Sequence, residues 1–167
     1  SGLNRDGVRD CGVGAVRWFS RHMKKIRIAV FGTGFMGRVH TEAARRLGNI
    51  EVVGVAGSSL ERARAFADRN GIEQASGDYR KFLADPGIEA VHILTPNDLH
   101  FPMAKAALLA GKHVVCEKPL ATSVGEGEEL TALAKKTGLA HCTFHNVRAY
   151  PQVQNMRAMV AAGEIGE

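Results

Sequence analysis

Short apolar runs alternate with stretches of helical periodicity along most of the chain. Five runs rich in β-branched residues, and a weaker one at 73–75, are expected to be strands; together they lie at 26–31, 51–56, 73–75, 90–94, 113–116 and 139–144. Between them, apolar residues recur every three to four positions, which is the period of an amphipathic helix. Strands separated by helices of this length pair in parallel through right-handed crossovers. The sequence therefore predicts an α/β fold, a doubly wound parallel sheet.

Serine and proline mark the expected starts of several helices. Ser58 with Glu61, and Ser123 with Glu126, match the S-x-x-E capping box that begins a helix. In such a box the glutamate side chain accepts a hydrogen bond from the backbone N–H of the serine. A last helix is expected from Pro151, because proline is tolerated in the first helical turn.

The positive charge of the chain is concentrated at its start. Of the formal net charge of +5, residues 1–25 carry +4, from six lysines and arginines against two aspartates. The rest is nearly neutral, which argues against a groove that follows a nucleic-acid backbone. No segment approaches the roughly 20 apolar residues of a membrane span. Neither a nucleic acid nor a membrane is an expected partner, and residues 1–24 are expected to be a poorly structured extension.

The three cysteines lack the spacing of disulfide pairs or metal sites. Cys116 and Cys142 lie in apolar runs, which favours buried, reduced thiols. Reduced thiols in turn favour a cytoplasmic location. His141 and His145 are four residues apart but fall on an expected strand, where they would not share a helical face. We therefore expect no metal.

A glycine-rich turn follows the first strand directly and opens the first helix. Its residues, which match G-x-G-x-x-G, are Gly32, Thr33, Gly34, Phe35, Met36 and Gly37. In such a turn the first glycine permits the tight bend, the second lets a pyrophosphate approach the backbone, and the third lets the helix pack on the strand. The helix N-terminus offers unpaired N–H groups and a partial positive charge to the phosphates. We expect these six residues to bind a dinucleotide.

The position that would contact the adenosine ribose carries no carboxylate. An acidic residue about 20 positions beyond the turn binds the ribose hydroxyls of NAD, and that position holds Gly57. Ser58, Ser59 and Arg62 follow, and their hydroxyls and guanidinium suit a 2′-phosphate. The sequence therefore favours NADP as the cofactor. The alternative is that Ser58 only caps a helix and Arg62 is a solvated surface charge, which leaves NAD open.

Two segments after the fourth and fifth strands resemble the paired motifs of one enzyme family. TPNDLH at 95–100 and GKHVVCEKPL at 111–120 are similar to motifs of the glucose–fructose oxidoreductase, inositol dehydrogenase and rhizopine-catabolism (Gfo/Idh/MocA) family. Residues 146–151 and 162–166 also resemble this family. The resemblance runs from about Ile26 to the end of the chain.

The resemblance implies a Rossmann domain that binds NAD(P), here residues 25–150, within a two-domain enzyme. Residues 151–167 would be the helix that leads to a C-terminal substrate domain absent from this sequence. In relatives, that domain supplies most substrate contacts, a further acid/base histidine and the oligomer interface. The whole protein is thus expected to be a homo-oligomer that transfers hydride between a nicotinamide and the carbinol or carbonyl carbon of a sugar, cyclitol or related metabolite. The fragment alone is expected to bind cofactor without turnover.

The resemblance also assigns roles to residues at the strand ends. Lys118 matches the family's catalytic lysine, which takes or gives the hydroxyl proton as hydride moves. The positions that match cofactor contacts are Thr95, Pro96, Asn97, His100, Glu117 and Lys118. The bond before Pro119 is expected to be cis, as in relatives. Arg148 and Tyr150 match the family's crossing between the two domains, where they could touch substrate, and packing between domains explains them equally well.

Two other functions are compatible with the sequence. Some relatives have lost catalysis, so the chain could belong to a nucleotide-sensing or regulatory member of the same family. The retained motif Glu117-Lys118-Pro119 argues against this. Another user of the fold, such as a CoA-binding or aspartate-family reductase domain, is disfavoured by the two motifs together. The enzyme interpretation is therefore preferred.

Overall fold

The computed structural model describes residues 24–166, which contain a six-stranded parallel sheet. The strands are β1 (Ile26–Phe31), β2 (Ile50–Ala56), β3 (Gln74–Ser76), β4 (Ala90–Ile93), β5 (His113–Glu117) and β6 (His141–Phe144). Their order across the sheet is β3-β2-β1-β4-β5-β6, and every neighbouring pair is parallel. Two halves that wind outward from β1 make the doubly wound sheet that the sequence predicts. The expected extension at 1–24 lies, apart from Lys24, outside the described residues.

Within residues 24–166, five α-helices connect the strands and a sixth follows β6. They are α1 (Phe35–Arg46), α2 (Leu60–Asn70), α3 (Arg80–Leu83), α4 (His100–Leu109), α5 (Val124–Thr137) and α6 (Pro151–Ala161). Two 3₁₀ helices span Asn97–Leu99 and Asn146–Ala149. The core residues of α1 and α2 form one buried cluster with the sheet, and those of α3, α4 and α5 form another. Because alternate strand residues point to opposite faces, the two clusters cover the two faces of the sheet.

Strand β1 is buried on both faces because it lies in the middle of the sheet. Ile28, Ala29, Val30 and Phe31 are at most 1% exposed, as expected for a continuous apolar run in a parallel sheet. Burial of each large apolar side chain contributes roughly 1.5–3 kcal/mol to stability. The end of this strand is therefore held firmly, and it fixes the start of the glycine-rich turn.

One of the two predicted helix caps is displaced by a residue. Ser59, and not Ser58, caps α2, because its hydroxyl accepts a hydrogen bond from the N–H of Arg62 at 3.2 Å. The two adjacent serines offer alternative caps, and the helix uses the later one. Ser123 caps α5 as predicted, and the Glu126 side chain binds the backbone N–H of the residue before the cap.

Strand β6 lies at the edge of the sheet and is less covered than predicted. It begins at His141, two residues later than expected, and none of its residues is fully buried. The prediction of a buried thiol is wrong for Cys142, which is exposed because β6 has a strand neighbour on one side only. Cys116 on β5 is buried as predicted, and both thiols are free.

Helix α6 is exposed along its length. None of its residues is buried, and Met156 and Val160 are each more than half exposed. Neither α6 nor another helix in the described part of the chain reaches the length and apolar character that a bilayer crossing demands.

Candidate cofactor-binding site

A groove of about 630 Å³ opens at the carboxyl ends of β1, β2 and β4. We call it the dinucleotide groove. Strand order reverses here, and open α/β sheets bind ligands at such a point. Nine predicted cofactor residues line it: Gly32, Thr33, Gly34, Phe35, Met36, Ser58, Arg62, Thr95 and Pro96. The predicted residues outside this lining are Gly37, Ser59, Asn97, His100, Glu117 and Lys118.

The three glycines of the turn have different steric surroundings. Gly32 has a φ of 122°, and a Cβ there would lie 2.5 Å from the carbonyl oxygen of Leu94. A Cβ on Gly37 would lie 2.3 Å from the carbonyl oxygen of Gly32. A Cβ on Gly34 would meet no atom within 4 Å. The first glycine thus lets the turn pass close to the backbone just after β4, the third lets α1 pack closely on the turn after β1, and the second leaves open space in front of the helix.

The N-terminus of α1 has no capping side chain. Gly34 is its N-cap, and the first turn contains no acidic residue. By contrast, Ser59 and Ser123 cap α2 and α5 with their hydroxyls. The first N–H groups of α1 are therefore available to an anion in the groove, and the helix N-terminus adds a partial positive charge.

The end of the groove beside β2 is electropositive. Arg62 lines it, and no carboxylate lines the groove within residues 24–166. Ser58 lies next to it, and Gly57 occupies the place where an acidic residue would contact a ribose. Ser59 instead caps α2. Two of the three residues predicted to contact a 2′-phosphate therefore face the groove.

Leu99 of the TPNDLH motif also lines the groove, and so do Tyr79 and Met103, which no sequence pattern indicated. The Tyr79 ring packs against Phe31 with ring centroids 5.5 Å apart. Tyr79 follows β3, so a search of all residues just beyond strand ends would have found it. Met103 lies inside α4 and carries no such signal. Its place in the wall depends on how α4 packs against the sheet.

His100 links the two family motifs. The residue is 1% exposed, and its Nδ1 lies 2.6 Å from the carbonyl oxygen of Pro119, while its Nε2 lies 2.9 Å from that of Thr95. Carbonyl oxygens only accept hydrogen bonds, so the ring makes both bonds when both nitrogens carry hydrogen. His100 thereby holds the loop after β4 against the loop after β5. Its direct contact with a cofactor stays a prediction.

Glu117 is the last residue of β5 and Lys118 follows it, at the same edge of the sheet as the groove. Cys116 pairs with Ile93 in the register of β5 and β4, so Glu117 and Lys118 come beside the loop after β4. Glu117 is buried, and its Oε2 accepts a hydrogen bond from the N–H of Lys118 at 3.0 Å. Lys118 is exposed, and its bond to Pro119 is cis, as predicted.

Cys116 is a core residue rather than a nucleophile. Burial raises the pKa of its thiol to about 12, and the neighbouring Glu117 carboxylate contributes to the rise. The thiol therefore stays protonated at neutral pH. Between residues 24 and 166, no three His, Cys, Asp or Glu side chains are grouped in a way that could hold a metal ion.

Arg148 and Tyr150 lie after β6 and outside the lining of the dinucleotide groove. Arg148 belongs to the 3₁₀ helix at Asn146–Ala149, and Tyr150 immediately precedes α6. Both are exposed, and the Tyr150 hydroxyl accepts a hydrogen bond from Asn146 at 3.3 Å. Their contact with a substrate stays a prediction.

Comparison with known proteins identifies the family. A sequence model described as "Oxidoreductase family, NAD-binding Rossmann fold" (Gfo/Idh/MocA) matches residues 26–145, which include all six strands. The chain belongs to the Gfo/Idh/MocA oxidoreductase family. The resemblance of the two motifs after β4 and β5 is thereby confirmed.

Individual members of the Gfo/Idh/MocA family match most of this chain and are much longer. An uncharacterized oxidoreductase of Rhizobium meliloti, ORF334, is 48% identical over 118 residues, which are 71% of this chain and 35% of that protein. Levoglucosan dehydrogenase, in complex with NADH and levoglucosan, has a TM-score of 0.82 at 32% identity over 86% of this chain and 41% of its own. Biliverdin reductase from Synechocystis, in complex with biliverdin and NADP⁺, has a TM-score of 0.74 at 34% identity. That match covers 85% of this chain and 44% of the reductase chain. The chain spans less than half the length of each of these relatives.

Proposed function

We propose that the dinucleotide groove binds a nicotinamide dinucleotide and prefers NADP(H) to NAD(H). The observation that carries this proposal is the uncapped N-terminus of α1 with open space in front of Gly34. A pyrophosphate fits that space, where the helix N–H groups point at it. The adenosine end would lie at Ser58 and Arg62, and the nicotinamide end near Thr95 and Lys118.

The preference for NADP(H) rests on charge at the adenosine end. Arg62 lines the groove there, and the lining in residues 24–166 includes no carboxylate. A guanidinium pairs with a phosphate through charge-assisted hydrogen bonds, whereas a carboxylate would repel it. Solved relatives bind either NADH or NADP⁺, so the family alone does not choose between the two cofactors.

We further propose that the whole protein transfers hydride between the nicotinamide and a carbinol or carbonyl carbon of a sugar, a cyclitol or a related metabolite. The bound cofactor supplies or accepts the hydride. Lys118 would contact the substrate hydroxyl and take or return its proton. It suits this role because it is exposed at the carboxyl end of β5 and its backbone N–H is held by Glu117. The relative that binds levoglucosan supports a sugar-like substrate.

Residues 24–166 by themselves are proposed to bind the cofactor without turnover. The candidate substrate contacts Lys118, Arg148 and Tyr150 are all exposed. Rapid hydride transfer requires that the substrate carbon be held against the nicotinamide in a narrow range of positions. Three exposed side chains do not supply that restraint.

The partner of the whole protein is proposed to be a small-molecule substrate, with a homo-oligomer as its working form. The exposed apolar residues Met156 and Val160 on α6 would suit a contact with another domain or another copy. The free thiols of Cys116 and Cys142 support a cytoplasmic location.

Calorimetric titration of this chain with NADPH and NADH tests the binding proposal. We expect both cofactors to bind and NADPH to bind more tightly. Tighter binding of NADH would contradict the preference for NADP(H). Absence of binding for both would contradict the proposed function as a whole.

Oxidation of a panel of sugars and cyclitols by the whole protein tests the proposed reaction. Lys118→Ala should lower kcat by about 10²–10⁴ and change cofactor affinity little. Lys135→Ala, an exposed lysine on α5, is the matched control. Near-normal kcat in Lys118→Ala would contradict the role of this lysine. Cofactor binding without turnover on any substrate would favour a nucleotide-sensing member of the family instead.

A further inference from the structure

Three titratable side chains from different elements meet near the carboxyl end of β5. They form a buried row, His92–His40–Glu117, from β4, α1 and β5. The two histidine Nδ1 atoms are 3.1 Å apart, and His40 Nε2 lies 3.4 Å from Glu117 Oε1. His40 and Glu117 are 5% and 7% exposed. The His40 ring also packs edge-on against Phe144 of β6, with ring centroids 4.6 Å apart, so the row joins α1 to three strands.

Both imidazoles of this row are neutral at neutral pH. Burial first, and the neighbouring His40 second, lower the pKa of His92 to about 4. Burial also lowers the pKa of His40, against the opposing effect of Glu117. A neutral imidazole carries a single N–H. When His92 Nδ1 donates to His40 Nδ1, the single N–H of His40 lies on Nε2, on the side of Glu117.

The two oxygens of the Glu117 carboxylate are in different situations. Oε2 accepts a hydrogen bond from the N–H of Lys118 at 3.0 Å. Oε1 lies near His40 Nε2, which has no aligned hydrogen-bond partner and is the buried side-chain polar atom left unpaired in residues 24–166. A buried carboxylate is costly unless donors satisfy its oxygens. A small rotation of either group would complete the hydrogen bond between His40 and Glu117.

We propose that His40 is a positioning residue for the nicotinamide end of the groove, an inference that rests on the proposed function. Its Nε2–H holds one oxygen of the Glu117 carboxylate, so that the other oxygen stays on the N–H of Lys118. The row thereby fixes the position of the backbone that carries the Lys118 side chain. Without the Nε2 donor, the carboxyl group turns toward another partner and releases the N–H of Lys118.

The effect of His40 is confined to one end of the groove. Glu117 and Lys118 lie at the carboxyl end of β5, whereas Ser58 and Arg62 follow β2, and β1 and β4 separate these two strands. A ligand that occupies only the Ser58 end does not reach Lys118. 2′,5′-ADP is such a ligand, because it carries the adenosine and the 2′-phosphate but no nicotinamide ribose. NADPH spans both ends.

Two substitutions of His40 separate positioning from packing. In His40→Gln the side-chain amide N–H lies about as far from Cα as Nε2 does in histidine. In His40→Asn the amide N–H lies only as far from Cα as Nδ1 does. We expect His40→Asn to weaken NADPH binding about tenfold and to leave 2′,5′-ADP binding within about twofold. His40→Gln should bind both ligands as the unaltered chain does. His145→Asn, an exposed histidine after β6, is the control without effect.

The amide resonance of Lys118 reports the same contact in the absence of a cofactor. In the ¹⁵N-labelled chain, the chemical shift of the Lys118 amide should change in the same direction in His40→Asn and in Glu117→Gln. Both substitutions weaken the hydrogen bond that the side chain at position 117 accepts from the Lys118 N–H. The resonance should stay in place in His40→Gln. The remaining resonances show whether each variant is folded.

Several outcomes overturn the proposal. It fails if His40→Asn and His40→Gln bind NADPH equally well, if His40→Asn weakens 2′,5′-ADP as much as NADPH, or if the Lys118 resonance does not move in His40→Asn. The proposed function fails separately, when the unaltered chain binds neither NADPH nor 2′,5′-ADP. If the unaltered chain binds both ligands and His40→Asn binds them equally well, the proposed role of His40 is wrong and the proposed function stands.

Discussion

The two ends of the candidate cofactor site, one of which is the dinucleotide groove, are built in different ways. At the end formed by β1, α1 and β2, which we call the cradle end, close backbone contacts at Gly32 and Gly37 hold the glycine-rich turn. At the end formed by β5 and β6, which we call the lysine end, Lys118, Arg148 and Tyr150 are exposed, and β6 has no fully buried residue. A phosphate-binding turn made of consecutive residues is held by its own backbone contacts. Exposed side chains that hold a substrate need further contacts from other parts of the molecule to fix their positions.

Close packing at the cradle end gives the largest expected effect. In Gly37→Val the new Cβ would lie 2.3 Å from the carbonyl oxygen of Gly32, and the backbone cannot yield without separating α1 from β1. We expect the free energy of unfolding to fall by about 4 kcal/mol or more. Urea unfolding measures this loss. A fully stable Gly37→Val would show that this close approach is not needed.

Gly34→Ala is the matched substitution, because its Cβ meets no atom within 4 Å. It should change the free energy of unfolding by less than about 1 kcal/mol. Its Cβ enters the space that we assign to the pyrophosphate, so we expect NADPH binding to weaken at least about tenfold, through loss of close approach to the helix N–H groups. Normal NADPH affinity measured by calorimetry would show that this space is not the phosphate site.

The next largest effect is expected at His100, which ties the loop after β4 to the loop after β5. His100→Leu removes the two ring nitrogens that lie within hydrogen-bond distance of the carbonyl oxygens of Thr95 and Pro119. Because unpaired buried polar groups are costly, we expect the free energy of unfolding to fall by about 3 kcal/mol. His145→Leu, at an exposed site, should change it by less than about 0.5 kcal/mol. If His100→Leu lost no more than this control in urea, other contacts would hold the loops.

The buried histidine pair at the junction of the two ends predicts a loss of stability in acid. Burial and the adjacent His40 lower the pKa of His92 from its ordinary 6.5 to about 4, and Glu117 faces the pair from beyond His40. Below pH 6.5 the unfolded chain binds a proton that the folded chain does not, so stability is full above this pH and falls as the pH decreases toward 4. For this residue we expect a loss of about 2 kcal/mol between pH 8 and pH 5.

His92→Asn tests the origin of this pH dependence. The asparagine keeps an N–H near the position of Nδ1 and does not titrate. Urea unfolding at a series of pH values should therefore show a much smaller loss between pH 8 and pH 5 in this variant. The same loss in both proteins would place the acid sensitivity elsewhere in the chain.

The smallest expected effect concerns the choice of cofactor at the cradle end. Arg62→Ala should weaken NADPH binding about tenfold, or about 1.4 kcal/mol, and change NADH binding less than about twofold. Arg64→Ala, an exposed arginine on the same helix and outside the groove lining, is the control. Equal losses for both cofactors in calorimetry would show that Arg62 does not contact a 2′-phosphate.

Local patterns made most of the fold predictable. The apolar run Ile26–Phe31 and the glycine-rich turn after it are consecutive residues whose structure depends on their immediate neighbours. Errors arose where two neighbours could play the same part, as with Ser58 and Ser59 at the start of α2. They also arose where exposure depends on position in the sheet, as with Cys142 on the edge strand β6.

The residues of the candidate site were predictable where a motif or a fixed spacing marks them. Most of the glycine-rich turn lines the groove, and so do Ser58, Arg62, Thr95 and Pro96. Tyr79 follows β3 and lines the same groove because β3 lies beside β2 in the sheet. The alternation of strands and helices along the sequence does not specify that order. No local pattern marks the row His92–His40–Glu117, because its members meet only when β4, β5 and α1 pack together. Contacts of this kind are set by the register and neighbours of the strands.

A crystal structure of this chain with NADPH tests the central claim most directly. We predict pyrophosphate oxygens about 2.7–3.2 Å from the backbone nitrogens at the start of α1, those of Phe35 and Met36, in the space in front of Gly34. A dinucleotide bound elsewhere on the chain, or one whose pyrophosphate points away from α1, would contradict the claim.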